Sequence, residues 1–82
     1  MAKVWMYKHG EDEIAVTNKL ESTDLTVNNK VQDRKNGIML TADLKGKTTA
    51  GKEIRASVGG LFTVDCSLFV DNELQTPIRV ID

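Results

Sequence analysis

The chain has 82 residues, a length that fits one domain. Its hydrophobic fraction of 40% and charged fraction of 28% are those of an ordinary globular protein and argue against a disordered chain. With 11 basic and 12 acidic side chains the formal net charge is −1, so the basic excess typical of nucleic-acid-binding proteins is absent.

Cysteine content and the N-terminus bear on where the protein works. Cys66 is the one cysteine, so no disulfide forms within the chain, and a reducing compartment is favoured. The first ten residues lack the apolar stretch of a signal peptide. No apolar run approaches the ~20 residues of a membrane span. We expect a cytoplasmic protein without a membrane or nucleic-acid partner.

The first strand, over residues 2–7, has apolar side chains on both faces, so its phase is open. In one phase Val4 and Met6 point inward, and Trp5 and Tyr7 belong to an outward contact surface. In the reverse phase Trp5 and Tyr7 fill the core against Phe62. We favour the reverse phase for Trp5.

The next segments predict a second strand and a hairpin. After a turn at residues 9–12, residues 13–17 alternate with Ile14 and Val16 inward. A polar connection leads to a strand at 23–27, which Asn28-Asn29 joins to a strand at 30–32. Asparagine tolerates the positive φ that two-residue hairpin turns require.

The middle of the chain predicts two more strands. Residues 33–37, with Asn36-Gly37, predict a turn, and residues 45–51 predict a loop rich in glycine and threonine. Strands are expected at 38–44 and 53–58. The apolar side chains expected to point inward along them are Ile38, Leu40, Ala42 and Leu44, then Ile54, Ala56 and Val58.

The longest predicted strand runs over residues 62–70. Its inward side chains are expected to be Phe62, Val64, Cys66, Leu68 and Val70. This phase points Phe69 outward. Asp71-Asn72 then turns the chain into residues 73–80, where Pro77 cannot donate to a ladder, so the last strand lies at an edge or is broken there.

Seven or eight short strands with turn residues between them predict an all-β fold. We expect one domain over residues 1–82, a compact antiparallel β-sandwich or a sheet closed on itself. A helical turn at 18–24 or 76–82 is an alternative. The segment 25–33 (LTVNNKVQD) returns at 68–76 (LFVDNELQT), and Glu-Ile precedes both copies, at 13–14 and 53–54. The repeat predicts two similarly built β units packed face to face, whether by duplication or by the common demands of short hairpins.

Residues 13–77 resemble the C-terminal domain of the Fas apoptotic inhibitory molecule family. The likeness is densest at 53–60 (EIRASVGG) and at 68–77 (LFVDNELQTP), which holds the valine-Asp-Asn turn of that family. The segment 14–33, with Val27-Asn28-Asn29-Lys30, is similar to the corresponding family stretch. The resemblance implies an antiparallel β-sandwich that has no catalytic site and binds other proteins. Family members carry two such domains.

Candidate chemical groups are few. His9 is the one histidine and lacks the companions of a metal site, and Cys66 falls on a buried face with no adjacent base. The acidic run 11–13 is expected to be an exposed turn. Residues 46–52 match seven of the eight positions of a phosphate-binding loop, but Glu53 replaces the hydroxyl residue and a strand, not a helix, follows.

Two functions are compatible with these features. The first is a non-catalytic protein-interaction or structural module, binding an unidentified protein or a second copy through a sheet face or edge. The second is a small-ligand or carbohydrate-binding domain in which exposed aromatic rings stack on sugars. The candidate binding residues are Phe69, Trp5 and Tyr7. We expect no cofactor, no metal and no enzymatic activity.

Overall fold

A computed structural model describes residues 2–38, 41–60 and 62–82. The described residues form an antiparallel β-sandwich with nine strands in two sheets, which confirms the predicted fold class with one strand more than the upper expectation. The described segments contain no helix, so the helical alternatives at 18–24 and 76–82 are wrong. Nor does any of them provide a helix long and apolar enough to cross a membrane.

The first four strands form a continuous antiparallel meander, which we call the first meander. Its strands are β1 (Lys3–His9), β2 (Asp12–Asn18), β3 (Ser22–Val27) and β4 (Lys30–Asn36). They pair in chain order, so the sheet reads β4-β3-β2-β1, with a ninth strand added beside β1. Because β4 continues to Asn36, the predicted turn at 33–37 is wrong over most of its length.

The next four strands form the second meander and the other sheet. They are β5 (Thr41–Lys47), β6 (Glu53–Gly59), β7 (Asp65–Val70) and β8 (Glu73–Gln75), again paired in chain order. The chain then crosses back at Pro77, and β9 (Arg79–Ile81) pairs with β1. The break at Pro77 confirms one of the two predicted placements. Since β5 reaches Lys47, the predicted loop at 45–51 begins three residues too early.

Both asparagine-containing hairpins turn as predicted. Asn28 and Asn29 have φ of 51° and 66°, and Asp71 and Asn72 have φ of 47° and 67°. Positive φ at both central residues is the geometry of a type I′ turn, whose twist matches that of the flanking strands. These turns set the register of β3 with β4 and of β7 with β8.

The same contact ties each hairpin turn to the neighbouring strand. The side-chain oxygen of Asn28 accepts the N–H of Glu13 at 3.0 Å, and that of Asp71 accepts the N–H of Glu53 at 3.0 Å. The backbone N–H of each turn residue donates back to the carbonyl of the same glutamate at 2.8 Å. The sequence repeat is therefore a structural repeat in which β2 and β3 correspond to β6 and β7.

The core lies between the two sheets and receives side chains from both meanders. Its fully or nearly buried side chains are Trp5, Tyr7, Ile14, Val16, Leu25 and Val27 from the first meander, and Leu44, Ile54, Ala56, Val58, Leu68 and Val70 from the second. Ala42 is also buried. The predicted inward positions of β2 and β6 are confirmed, as are Ala42 and Leu44 in β5 and Leu68 and Val70 in β7. Val64 and Cys66, also predicted inward, are partly buried and pack against this core.

Trp5 and Tyr7 are 4% and 2% exposed, so the reverse phase of β1 is the right one. Their cross-strand partners, Val16 and Ile14, are inward residues of β2, and partners across a ladder share a face. An outward contact surface that includes Trp5 and Tyr7 is therefore wrong. The predicted packing of these rings against Phe62 is wrong as well.

Phe62 and Ile38 are the two predicted core residues that point into solvent. Phe62 is 98% exposed and precedes β7, which begins only at Asp65. Ile38 is 79% exposed and precedes β5. In both places the apolar alternation of the sequence runs on beyond the strand. Leu40, predicted inward, lies outside the described residues.

The free edge of β5 is covered by side chains of β4. The N–H of Lys45 donates to Asp33 Oδ2 at 2.9 Å, and the N–H of Lys47 donates to Gln32 Oε1 at 3.4 Å. The approach is close at Gly46, where an added Cβ would stand 2.9 Å from Gln32 Cβ. Strand β4 of the first sheet therefore lies along the β5 edge of the second sheet.

Candidate functional site

A row of four side chains crosses the outer face of the second sheet. Leu68 and Val70 point inward, so Phe69 between them points outward. The register places Arg55 opposite Phe69 on one side and Leu74 opposite it on the other. Lys45 lies opposite Arg55. We call Lys45, Arg55, Phe69 and Leu74 the Phe69 row.

Lys45, Arg55 and Phe69 line a groove of about 770 Å³, and Leu74 lies beside it on the next strand. Strand β4 supplies one wall, and the type I′ turn of the second meander supplies one end. The polar and aromatic lining residues include Asp33, Lys35, Lys45, Arg55, Phe69 and Asn72. The groove therefore combines cations, an aromatic ring and a turn amide on one concave surface.

The groove has an excess of positive charge. Lys35, Lys45 and Arg55 outnumber the lining carboxylates of Asp33 and Asp43, and Asp33 already accepts the Lys45 N–H. Within the described parts of the chain, the ion pairs are Lys3 with Asp82 at 3.5 Å and Arg34 with Asp24 at 2.7 Å, so neither cation of the row has a carboxylate within 4.0 Å. An anionic group from outside would complement this surface.

The structurally equivalent row on the first sheet is neutral. Met6, Ala15, Thr26 and Val31 occupy the positions of Lys45, Arg55, Phe69 and Leu74, as their registers show. At these four equivalent positions, a cross-strand pair of cations beside an aromatic ring occurs only in the second sheet.

Of the three predicted binding residues, the structure leaves only Phe69 at a surface. Tyr7 crosses the core and its hydroxyl donates to Cys66 Sγ at 3.5 Å. Burial, aided by this bond, raises the pKa of Tyr7, and burial likewise raises the pKa of the Cys66 thiol. A thiol with a raised pKa is a poor nucleophile because it stays protonated. The ring of Trp5 lies 5.4 Å from Lys3 Nζ, a cation–π distance.

The acidic run at 11–13, predicted to be exposed, contains one buried residue. Asp12 is 3% exposed and accepts the N–H and the hydroxyl of Thr49, both at 2.8 Å, and the side-chain amide of Asn28 at 3.0 Å. These bonds, led by the Thr49 N–H and assisted weakly by the charge of His9, hold the pKa of Asp12 below its ordinary value. Its spacing from Ile14, two residues on, is the signal that marks it as inward.

The expected exposed acidic turn is therefore wrong for Asp12, which joins the two meanders, while Glu11 and Glu13 are exposed. The residues that resemble a phosphate loop run from one strand to the next, from β5 into β6, without the helix that such a loop requires. In the portions of the chain that the structure describes, no three His, Cys, Asp or Glu side chains gather in an arrangement suited to a metal ion.

Comparisons of the chain with protein-family models, with curated proteins and with solved structures find no match. The resemblance to the Fas apoptotic inhibitory molecule family rests on the residues quoted above, and these comparisons do not bear on it. Function must be argued from the surface itself.

Proposed function

We propose that this protein is a non-catalytic binding module that holds another protein on the outer face of its second meander. The observation that carries the proposal is the pairing of Phe69 with Leu74 on that face, beside the groove. Leu74 is 65% exposed although it belongs to a paired strand. Adjacent apolar and aromatic side chains flanked by Arg are the composition of protein contact surfaces.

The groups that could serve catalysis are occupied in holding the fold. Burial raises the pKa of the Cys66 thiol, whose sulfur accepts a hydrogen bond from Tyr7, and the oxygens of Asp12 accept hydrogen bonds from Thr49 and Asn28. This supports binding over catalysis. The family resemblance implies the same role, and we include it in the proposal. The thiol of Cys66, which has no partner for a disulfide in this chain, favours the cytoplasm as the place where the module works.

A sheet face serves this proposal better than a sheet edge. The edge strands β8 and β9 have three residues each, and β5 is covered by β4. Strand β4 carries Lys30, Arg34 and Lys35, and charged side chains discourage strand addition. Carbohydrate binding loses its main support, because Trp5 and Tyr7 are both in the core.

Phe62 provides a matched control for Phe69, because it is the other phenylalanine and is exposed at a different place. Wild type, Phe69→Ser and Phe62→Ser are immobilised and exposed to native lysate. A protein retained by the wild type is then purified, and its affinity for each variant is measured by calorimetry. We expect Phe69→Ser to weaken binding by about tenfold or more, as for a contact at the centre of an interface. Phe62→Ser should bind as the wild type does.

Urea unfolding of each variant separates loss of contact from loss of fold. An unchanged affinity in folded Phe69→Ser, or a loss confined to Phe62→Ser, would remove the second-meander face from the proposal. Size-exclusion chromatography with light scattering completes the test, since a dimer that Phe69→Ser dissociates would make the partner a second copy of the chain.

A further inference from the structure

Two like charges face each other on the Phe69 row. Lys45 and Arg55 are direct cross-strand partners, and both point outward. Like charges placed opposite one another destabilise a ladder. No carboxylate of the described residues forms an ion pair with either of them. Among the described residues no ion pair offsets the repulsion between these two cations, and a bound anion would offset it.

The other two residues of the row indicate which chemical group the ligand carries next to its anion. Phe69 and Leu74 follow Arg55 on the next two strands, so the row changes from cationic to apolar as it crosses the sheet. Neighbouring strands are about 4.8 Å apart, which makes the row about 14 Å long. This is the length of roughly four residues of extended peptide.

The geometry points to an extended acidic peptide segment as the occupant of the groove, an inference that rests on the proposed function. One carboxylate lies over Lys45 and Arg55, where its two oxygens accept a bidentate pair of hydrogen bonds from the guanidinium. An apolar side chain, about three residues along the peptide, packs on Phe69 and Leu74.

A polyanion is a poorer fit than this mixed segment. Asp33 and Asp43 line the same groove, so phosphates spaced along a nucleic acid would meet these carboxylates as well as the cations. A peptide with one or two carboxylates followed by apolar side chains can place its carboxylates on the cations of the row and its apolar side chains on Phe69 and Leu74.

Three capped synthetic peptides test the inference against the whole labelled protein by NMR titration of backbone amides. The first is Glu-Glu-Ser-Phe-Leu-Ser, the second replaces both glutamates by lysine, and the third replaces the phenylalanine and leucine by serine. We expect the first peptide to shift the amides around Lys45, Arg55, Phe69 and Asn72. The other two should bind at least about tenfold more weakly, each having lost one half of the complement.

Arg55→Ser and Arg79→Ser form a matched pair for the same titration. Both arginines are exposed on outer sheet faces, and each change removes one positive charge, but Arg79 lies on the first sheet. Arg55→Ser should weaken the first peptide about tenfold, as for one charge-assisted hydrogen bond. Arg79→Ser should leave its affinity unchanged. Lys45→Ser gives a second test if Arg55→Ser unfolds.

Equal binding of the acidic and basic peptides would overturn the inference, as would shifts centred on Leu20, Ile38 and Phe62 or no shifts at all. The outcome for the proposed function is read separately. If the peptides fail while Phe69→Ser still weakens the purified partner, the occupant is wrong and the surface stands. If Phe69→Ser also leaves that partner bound, both proposals fail.

Discussion

The two meanders carry the same inner side chains on β3 and β7 and at the start of β2 and β6, whereas their outer side chains differ. At the inner positions, Ile14 and Ile54 correspond, as do Leu25 with Leu68 and Val27 with Val70. Each of these six side chains is at most 4% exposed. Dense packing between the two sheets favours aliphatic side chains of matching volume at these positions, so their likeness requires no further explanation.

The outer positions have no such constraint, and there the meanders diverge. The row on the first sheet is Met6, Ala15, Thr26 and Val31, whereas the second has Lys45, Arg55, Phe69 and Leu74. Packing cannot account for a cross-strand pair of like charges. A surface that differs from its structural counterpart where packing does not require the difference is therefore a candidate for binding.

The largest effect is expected where the meanders agree. Leu25→Ala and Leu68→Ala each remove a fully buried side chain at equivalent positions, and each should lower the free energy of unfolding by about 2–5 kcal/mol. Urea denaturation measures both. A cost of under about 1 kcal/mol for one of them would show that its sheet repacks and that the two halves of the core are not equivalent.

The two hairpin turns differ by one side-chain hydrogen bond. Asn28 accepts the Glu13 N–H and also donates to Asp12, whereas Asp71 makes only the bond to Glu53 among these side-chain contacts. Glycine keeps the positive φ of the turn. We expect Asn28→Gly to cost about 1–2 kcal/mol in unfolding free energy and Asp71→Gly about half of that. Equal costs would mean that the bond to Asp12 contributes nothing.

We expect acid to lower the stability of the protein mainly by protonating Asp12, in the first meander. The pKa of Asp12 in the folded protein lies below its ordinary value of 3.8, so its stabilising contribution is complete above that value and is lost as the pH falls through the folded pKa. Asp12→Asn should therefore be less stable than the wild type at pH 7 and should lose less stability below pH ~4.

Glu11→Gln is the control for that change, because Glu11 is the exposed neighbour of Asp12. Thermal unfolding over a series of pH values compares the three proteins. An acid profile of Asp12→Asn that coincides with those of wild type and control would show that the bonds from Thr49 and Asn28 do not favour the ionised form.

The smallest change in stability is expected at the Phe69 row. Lys45→Glu replaces the like-charge pair with Arg55 by an opposite-charge pair on an exposed face, and should raise the unfolding free energy by about 0.5 kcal/mol. The same change should prevent binding of the acidic peptide. A variant that is less stable than the wild type would show that Lys45 and Arg55 are not in conflict in the free protein.

Much of the fold could be predicted from the sequence, because its signals are local. Asparagine pairs specify the type I′ turns, and single-phase alternation specifies the inward side chains of β6 and most of β7. The phase of β1 could not be fixed, since Val4 and Met6 are apolar as well and only pairing with β2 decides it. Phe62 was misplaced because its apolar alternation continues past the start of β7 at Asp65.

The candidate site could be predicted only in part. Phase along one strand was enough to point Phe69 outward. The sequence predicts a loop at Lys45 and gives no signal at Arg55. These two residues become cross-strand neighbours only through the register between β5 and β6. Registers between strands join residues that are distant in the sequence, and no local pattern reports them.

The most direct test compares two exposed aliphatic side chains at equivalent places on the two sheets. Leu74 and Val31 are each the second residue after the central pair of a type I′ turn. They are 65% and 52% exposed. The affinity of the purified partner is measured for Leu74→Ser and Val31→Ser, both checked for folding. Weaker binding of Leu74→Ser alone is the expected result. Equal affinities, or a loss only in Val31→Ser, would contradict binding on the second meander.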